Sequence, residues 1–360
     1  MSKSPRILLS TRVYSWFNDR FPLDDIRSFL SRKTVPQHKH SFWYFFGGLT
    51  LFFLCVQFTT GILLSLYYKP TPDQAYESVR LLIEQVEYGW LIRSLHSWSA
   101  NLMIGTLFIH MFSVFLMKGY RKPRETMWVT GVFLMFLALG FGFTGYLLPW
   151  DTMAYFATLI GTEVPKSMPL IGDWAVSLLQ GGGEVGAETL SRMYSIHVII
   201  LPLISIMLVS MHVLLSQVLG SSVPVGAKEK KPALPFFPNF LYRDLIAWSI
   251  GFIVLLALST MLPWSIGEKS DLLASAPVGV KPEWYFLPVY QTLKFAPATV
   301  IGMSGELLVN CLVGAASLFW LAIPFLDFKA KKDLKSPMFT AIGVFLILYL
   351  VTTIILAYKG

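Results

Sequence analysis

Charge is what this sequence has least of. Asp, Glu, Lys and Arg make up 14% of its 360 residues, while hydrophobic residues make up 54%. A water-soluble domain carries about a quarter charged residues, so a soluble globular fold is excluded. Cysteine is almost missing as well. Cys55 and Cys311 both fall inside apolar runs, with no C-x-x-C and no C-x-x-C-H anywhere. That argues against a disulfide scaffold and against thioether attachment of a prosthetic group. No secretory leader is expected from the first forty residues, which are polar and contain no short apolar core before a small-residue cleavage site.

Long apolar stretches are what the chain does have. Mean hydropathy is +0.59, and several uncharged runs exceed the roughly 18 residues needed to cross about 30 Å of hydrocarbon. The pattern predicts an all-α integral membrane protein with seven transmembrane helices, at about 42–67, 90–117, 127–148, 194–219, 243–264, 305–326 and 338–358. Four of these precede a Pro- and Lys-containing segment at 221–242 and three follow it. The expected organisation is therefore a four-helix part (1–220), a cytoplasmic linker (221–242) and a three-helix part (243–360). Residues 12–32, with Val13, Trp16, Phe17, Ile26, Phe29 and Leu30 among charges, read as an interfacial amphipathic helix or as a solvated tail.

The net charge of +8 does not call for nucleic acid. Of the 29 Lys and Arg, twenty fall on the amino-terminal segment and the loops near 118–125, 220–243 and 327–335, and nine on the opposite side. Basic residues accumulate on the cytoplasmic side. The amino terminus is accordingly expected inside a bacterial cytoplasmic membrane and the carboxy terminus outside. The two outer loops, 151–193 and 265–304, are long for plain connectors, and such loops usually carry function.

Six histidines are present, and four of them lie within spans: His96 and His110 in the second helix, His197 and His212 in the fourth. Ionisable side chains inside a bilayer are rare and mark functional sites. The topology makes these two helices parallel. At 1.5 Å per residue the two histidines of each helix are separated by about 21–22 Å. His96 thus faces His197 at one depth and His110 faces His212 at another. Pro202 interrupts the ladder of the fourth helix, and a local bulge beside it would absorb the extra residue of the 197-to-212 step. Paired imidazoles across a bundle suit a haem with both axial positions filled, an arrangement made for electron transfer rather than oxygen chemistry. Zinc would want four tetrahedral ligands.

Gly47 and Gly61 in the first span repeat the 14-residue step, as do Gly131 and Gly145 in the third. Ordinary helix packing by small residues explains either pair alone; the shared period argues for room beside two stacked macrocycles. Arg93, Arg192 and Arg124, with Arg121 and Lys122, sit near the helix ends as candidate partners for propionates.

The stretches Trp90–Trp98 (WLIRSLHSW), Lys122–Thr130 (KPRETMWVT), Gly142–Asp151 (GFTGYLLPWD), Arg192–His197 (RMYSIH) and Lys281–Pro288 (KPEWYFLP) give the chain, over nearly its whole length, a resemblance to the cytochrome b of Rieske/cytochrome b complexes. The 15-residue step and seven spans resemble the photosynthetic type, there split into a four-helix cytochrome and a three-helix subunit IV and here fused.

The resemblance implies two non-covalent b-type haems, the outer on His96 and His197 and the inner on His110 and His212. It implies quinol oxidation near the outer face, with one electron passing to a Rieske iron–sulfur protein and the other through both haems to quinone near the inner face, and protons released outside. A c-type cytochrome and a second copy of the subunit are the further partners implied.

Carried over residue by residue, Glu283 takes a quinol proton with Tyr285 beside it, a role that suits a carboxylate able to turn toward water. Tyr146, Pro149, Trp150, Ala157, Pro282 and Trp284 line that pocket. Arg243 and Asp244 serve the inner quinone site, with a plain charged pair at a helix start as the alternative. Three departures stand out. Phe45 occupies the position of the cysteine that attaches a further haem in photosynthetic relatives, so no covalent third haem is expected. Ser97 replaces an arginine that follows the first ligand. Ala157 replaces a glycine of mitochondrial types, and its methyl is expected to hinder strobilurin-like inhibitors.

Two other functions compete. A dihaem membrane anchor of a dehydrogenase or hydrogenase explains the histidines but not the Pro-Glu-Trp-Tyr loop. A transporter explains the spans but requires a colourless protein.

Overall fold

A computed structural model describes residues 9–228, 230–271, 275–300, 302–327 and 335–359. Among these, seven helices are long and apolar enough to cross a membrane. They are α1 (Ser41–Ser65), α2 (Gly89–Leu116), α3 (Glu125–Leu147), α4 (Ala187–Leu219), α5 (Phe236–Met261), α6 (Gly305–Leu326) and α7 (Pro337–Lys359). The hydropathy reading therefore holds in number and order.

Where boundaries differ, local chemistry explains it. α4 starts at Ala187, seven residues before the expected position, because the Thr189 hydroxyl accepts the Gly186 backbone N–H and closes its first turn. α5 ends at Met261, ahead of Pro263, whose ring drives the preceding residue out of helical conformation. In α4 a single π-turn at Ile196–Ile200 lies just before Pro202. It takes up the additional residue between His197 and His212, as π-bulges do at functional sites.

The amino-terminal segment is two helices, Leu9–Asn18 and Leu23–Arg32, not one, with the break at Phe21-Pro22. Both put large apolar side chains on an exposed face, including Trp16, Phe17, Ile26 and Phe29. The segment expected as a linker is partly a strand. β2 (Lys230–Pro235) pairs antiparallel with β1 (Thr34–Gln37). Three of the four basic residues counted at 327–335 belong to 328–334, and Lys3 and Arg6 to the first eight residues; these lie outside the described residues.

α2 is the central helix. In its most apolar 18-residue stretch 39% of residues are buried, against 22% or less in every other span. The rest present Leu, Ile, Val and Phe outward, which water would penalise and lipid does not.

Three aromatic residues seal α6 onto α2 and α3. Trp320 lies 4.7 Å from Phe115 and 5.2 Å from Trp128, ring centre to ring centre. The Trp128 indole donates to the Trp320 carbonyl at 2.9 Å, so its buried N–H is satisfied. Next to this cluster a buried ion pair, Arg121 to Asp327 at 2.9 Å, is completed by hydroxyls from Tyr120 and Ser336. The two sequence halves are thus locked by polar contacts on one side of the bundle and, on the other, by Arg93 donating to the Trp264 carbonyl and Trp98 to that of Leu262.

Candidate functional site

α2 and α4 bring His96 and His197 face to face, with ring centres 6.4 Å apart and planes at 70°. A metal–imidazole nitrogen bond is about 2 Å, and the ring adds roughly 1 Å more, so one iron between two imidazoles needs centres roughly 6 Å apart. The spacing fits. His110 and His212 face one cavity of about 740 Å³, shared with Gly47, Gly131, Phe141, Asp244 and Trp248. Among the described residues no group of three or more His, Cys, Asp or Glu is arranged to hold a bare metal ion. Two-ligand sites with open space between helices fit a haem.

The glycines do something more specific than leave general room. A Cβ built on Gly61 would stand 3.4 Å from His96 Cε1, on Gly145 2.5 Å from His197 Cε1, on Gly131 3.3 Å from His212 Cε1 and on Gly47 3.0 Å from His110 Cε1. Each glycine backs one imidazole. A larger residue there displaces the imidazole itself.

Three of those glycines follow a threonine, a pattern the sequence reading overlooked. Thr60 Oγ1 lies 2.9 Å from His96 Nδ1, Thr144 Oγ1 3.0 Å from His197 Nδ1 and Thr130 Oγ1 3.0 Å from His212 Nδ1. The single hydroxyl proton of each is already donated to a carbonyl of its own helix, Val56, Gly140 and Met127 respectively. The hydroxyl oxygen must then accept Nδ1–H. That fixes the tautomer with Nε2 free, which is the nitrogen an iron takes.

The arginines are engaged elsewhere. Arg93 donates to the Trp264 carbonyl; Arg192 to the carbonyls of Ser177 and Leu178 at 3.2 and 2.9 Å; Arg124 to those of Leu219, Gly220 and Ser221. Arg121 pairs with Asp327. In this structure they hold loops at the helix ends, a competition for guanidinium donors that sequence position alone does not reveal.

Near the His96 end, the Pro-Glu-Trp-Tyr turn folds against α2 and α3. Its Phe286 N–H bonds to the Glu283 carbonyl at 2.8 Å, and the Trp284 indole reaches Asn101 Oδ1 at 2.7 Å. Tyr285 packs where Gly142 has no side chain. Burial pushes the Glu283 carboxyl above its ordinary range. Burial also raises the Tyr285 hydroxyl, helped by the nearby charge of Glu283 and by Tyr146. The sequence-predicted Tyr146, Trp150 and Ala157 meet in one packed cluster with Leu147, Tyr155 and Val280. Trp150 holds φ at +55°, a strained value for a bulky residue. Its N–H donates to the Leu147 carbonyl at 2.9 Å, and Ser270 N–H donates to its carbonyl. Asp151 then caps the following helix through the Ala154 N–H, so Pro149 lies in the turn that sets this wall. Pro282 is half-buried beside Glu283.

At the His110 end the two residues expected together part company. Asp244 lines the cavity, whereas Arg243 is exposed and outside it. Neighbours on a helix point about 100° apart, so only one of them can face inward. One helical turn beyond Asp244, Trp248 joins it. The buried Asp244 Oδ1 and Trp248 Nε1 both lack a hydrogen-bond partner among the described residues. Gly48 makes way for the carboxylate: a Cβ there would lie 2.5 Å from Asp244 Oδ1. Only the i, i+4 spacing of Asp244 and Trp248 signalled this pairing in the sequence. Phe45 stacks on Phe240 at 5.3 Å with planes 8° apart.

Known proteins support the same reading. The family model described as Cytochrome b/b6/petB matches residues 30–220, and that described as Cytochrome b(C-terminal)/b6/petD matches residues 271–360. A cytochrome bc complex cytochrome b subunit from Chlorobaculum thiosulfatiphilum is 50% identical over 342 residues, covering 94% of this chain and 79% of that protein. A cytochrome b6 from Gloeobacter violaceus is 44% identical over 215 residues, 60% of this chain and 100% of that protein. The solved structure of a hyperthermophilic respiratory Complex III superimposes with a TM-score of 0.85 at 29% identity, covering 96% of this chain and 91% of that one.

Proposed function

The chain belongs to the cytochrome b/b6 family as the membrane-embedded catalytic subunit of a bc-type quinol-oxidising complex, and on that premise we propose which of its residues perform the reaction. The family match over both halves sets aside a dihaem anchor of a dehydrogenase or hydrogenase and a transporter alike.

We assign His96 and His197 to an outer non-covalent b haem and His110 and His212 to an inner one. The observation that carries this is that each of the four imidazoles is backed by its own glycine, with His96 facing His197 at 6.4 Å and His110 and His212 lining one cavity. Bound there, the two haems supply a one-electron path across the membrane. With Phe45 stacked on Phe240 and no cysteine at that position, the chain offers no thioether to a third haem.

Glu283 accepts a proton from quinol held against the Tyr146, Pro149, Trp150 and Ala157 wall, and releases it outward. Burial raises its proton affinity, which brings the carboxylate closer to what a proton acceptor at neutral pH needs. Tyr285, fixed over Gly142, shapes the pocket beside it. At the opposite face Asp244, as a protonated carboxyl, and Trp248, through its indole N–H, offer donors to quinone oxygen, and Arg243 stays outside. The amino terminus and this second site lie on the cytoplasmic side and the carboxy terminus outside, a reading the distribution of Lys and Arg supports. A Rieske iron–sulfur protein takes the other electron of each quinol, a c-type cytochrome follows it, and the subunit works as a homodimer, as in the family it belongs to. Its chain reads as a four-helix dihaem unit (1–220) joined through 221–242 to a three-helix unit (243–360).

Purification of the intact complex tests this. Two b haems per chain and a co-purifying iron–sulfur protein are expected. Replacement of His96 or His212 by a residue that cannot bind iron should remove one haem signal; retention of both in unaltered form defeats the assignment.

A further inference from the structure

Three of the four ligand imidazoles share one support. A threonine immediately before the backing glycine gives its proton to its own helix and accepts Nδ1–H: Thr60 for His96, Thr144 for His197 and Thr130 for His212. Residue 46, before Gly47, is Phe. The fourth imidazole, His110, has a buried Nδ1 with no hydrogen-bond partner among the described residues, and this nitrogen sits 3.3 Å from where a Gly47 Cβ would be. By the helical geometry of the other three positions, a hydroxyl at 46 would fall opposite it. The Phe46 ring instead stacks on Trp43, centres 5.6 Å apart, and meets Phe42 edge-on. The nearest hydroxyl along the helix, that of Thr50, donates to the Phe46 carbonyl and meets Thr106.

The chemistry of such a partner is directional. An acceptor on Nδ1–H draws the proton away, makes Nε2 a stronger donor and so favours ferric over ferrous iron. Without one the imidazole is a weaker donor, and the reduced iron gains relative stability. Axial-ligand strength is a principal means by which a protein sets haem potential. Thr60 and Thr144 serve both ligands of one site, while the other site has Thr130 alone.

We propose that the substitution of Phe46 for threonine opposite His110 is an electronic asymmetry built into this chain, which raises the potential of the His110–His212 haem relative to the His96–His197 haem. The bias runs downhill for an electron that enters at the outer site and leaves at the inner one. This rests on the haem assignment above. Phe46 and the threonines act through the ligands and are positioning residues.

The test compares Phe46→Thr with Phe46→Val in the whole complex. Both remove the aromatic ring, and the side chains match in shape, so only the hydroxyl distinguishes them. Optical redox titration should find the His110–His212 haem at a lower midpoint in Phe46→Thr than in Phe46→Val, with the other haem unmoved. Thr144→Val should raise the midpoint of the His96–His197 haem, and Thr144→Ser should restore it. Coincident midpoints in the two Phe46 variants, each holding two haems, would overturn the proposal, as would an unmoved midpoint in Thr144→Val. Haem counting in a His110 variant keeps the two readings apart: if both haems persist there, it is the ligand assignment that fails.

Discussion

The indole nitrogen of Trp284 donates to Asn101 Oδ1 at 2.7 Å, tying the Pro-Glu-Trp-Tyr turn to α2 five residues past His96. A loop residue some 180 positions away in sequence thereby ties the Glu283 loop to the helix that carries His96. Asn101 is itself braced, its amide donating to the Ser97 carbonyl at 3.0 Å.

Trp284→Phe keeps an aromatic ring and removes that bond. Loss of one such bond costs about 0.5–1.5 kcal/mol, yet misplacement of a catalytic loop by an ångström costs up to about a hundredfold in rate. Quinol oxidation should fall by roughly ten- to a hundredfold with both haem spectra intact. Steady-state turnover beside a reduced-minus-oxidised spectrum reads both quantities, and unchanged turnover would remove the anchor from the mechanism.

Glu283→Gln should lower turnover by about 10²–10⁴, the usual contribution of a positioned base. The wild-type pH profile carries the sign. A base works only when deprotonated, so activity climbs as pH rises through the carboxyl's pKa. Burial has raised that pKa, so the climb should sit at higher pH than for a free glutamate and should vanish in the glutamine variant.

The four glycines should differ in severity when changed to alanine. The added methyl meets His197 at 2.5 Å from Gly145, His110 at 3.0 Å from Gly47, His212 at 3.3 Å from Gly131 and His96 at 3.4 Å from Gly61. Gly145→Ala is expected to lose the outer haem, Gly61→Ala to keep it, and the other two to fall between. The haem-to-protein ratio of each purified variant supplies the ranking.

Asp327→Asn removes the carboxylate that Arg121 meets at 2.9 Å, and breaking a buried ion pair typically costs about 3–5 kcal/mol. Thermal unfolding in detergent should drop accordingly, while haem potentials stay put. Burial pushes the Asp327 carboxyl up, but hydrogen bonds from Ser336, Tyr120 and Arg121, with the guanidinium charge, outweigh it and hold it below its ordinary range. A carboxyl depressed in the fold stabilises above its unfolded pKa, and that contribution fades as pH falls through the folded value. Wild type should therefore lose stability in strong acid with a step that the asparagine variant lacks.

Asp244→Asn should slow the quinone reaction at the inner site. With the outer site blocked, reduction of the inner haem by added quinol is expected to fall by at least tenfold, within the 10²–10⁴ range of acid–base groups or just below it. Arg243→Gln, on the exposed neighbour, should leave it unchanged; equal losses in both would return Arg243 to the site.

Much of this protein was determined by the sequence alone. Apolar length set the seven spans, because a bilayer demands about twenty residues of every helix that crosses it. A fixed rise per residue turned His96, His110, His197 and His212 into two levels, and even the bulge beside Pro202 was implied by one extra residue. These are periodic properties, carried by the chain locally. Tertiary packing decided what the side chains touch: that Arg192 and Arg124 bond loop carbonyls, that Asp244 turns inward with Trp248 while Arg243 does not, and that three threonines hold three imidazoles while His110 Nδ1 has no such partner among the described residues. Such partners lie from 36 to 82 residues apart in the threonine pairs alone, and only the packing of helix against helix chooses which hydroxyl faces which ring.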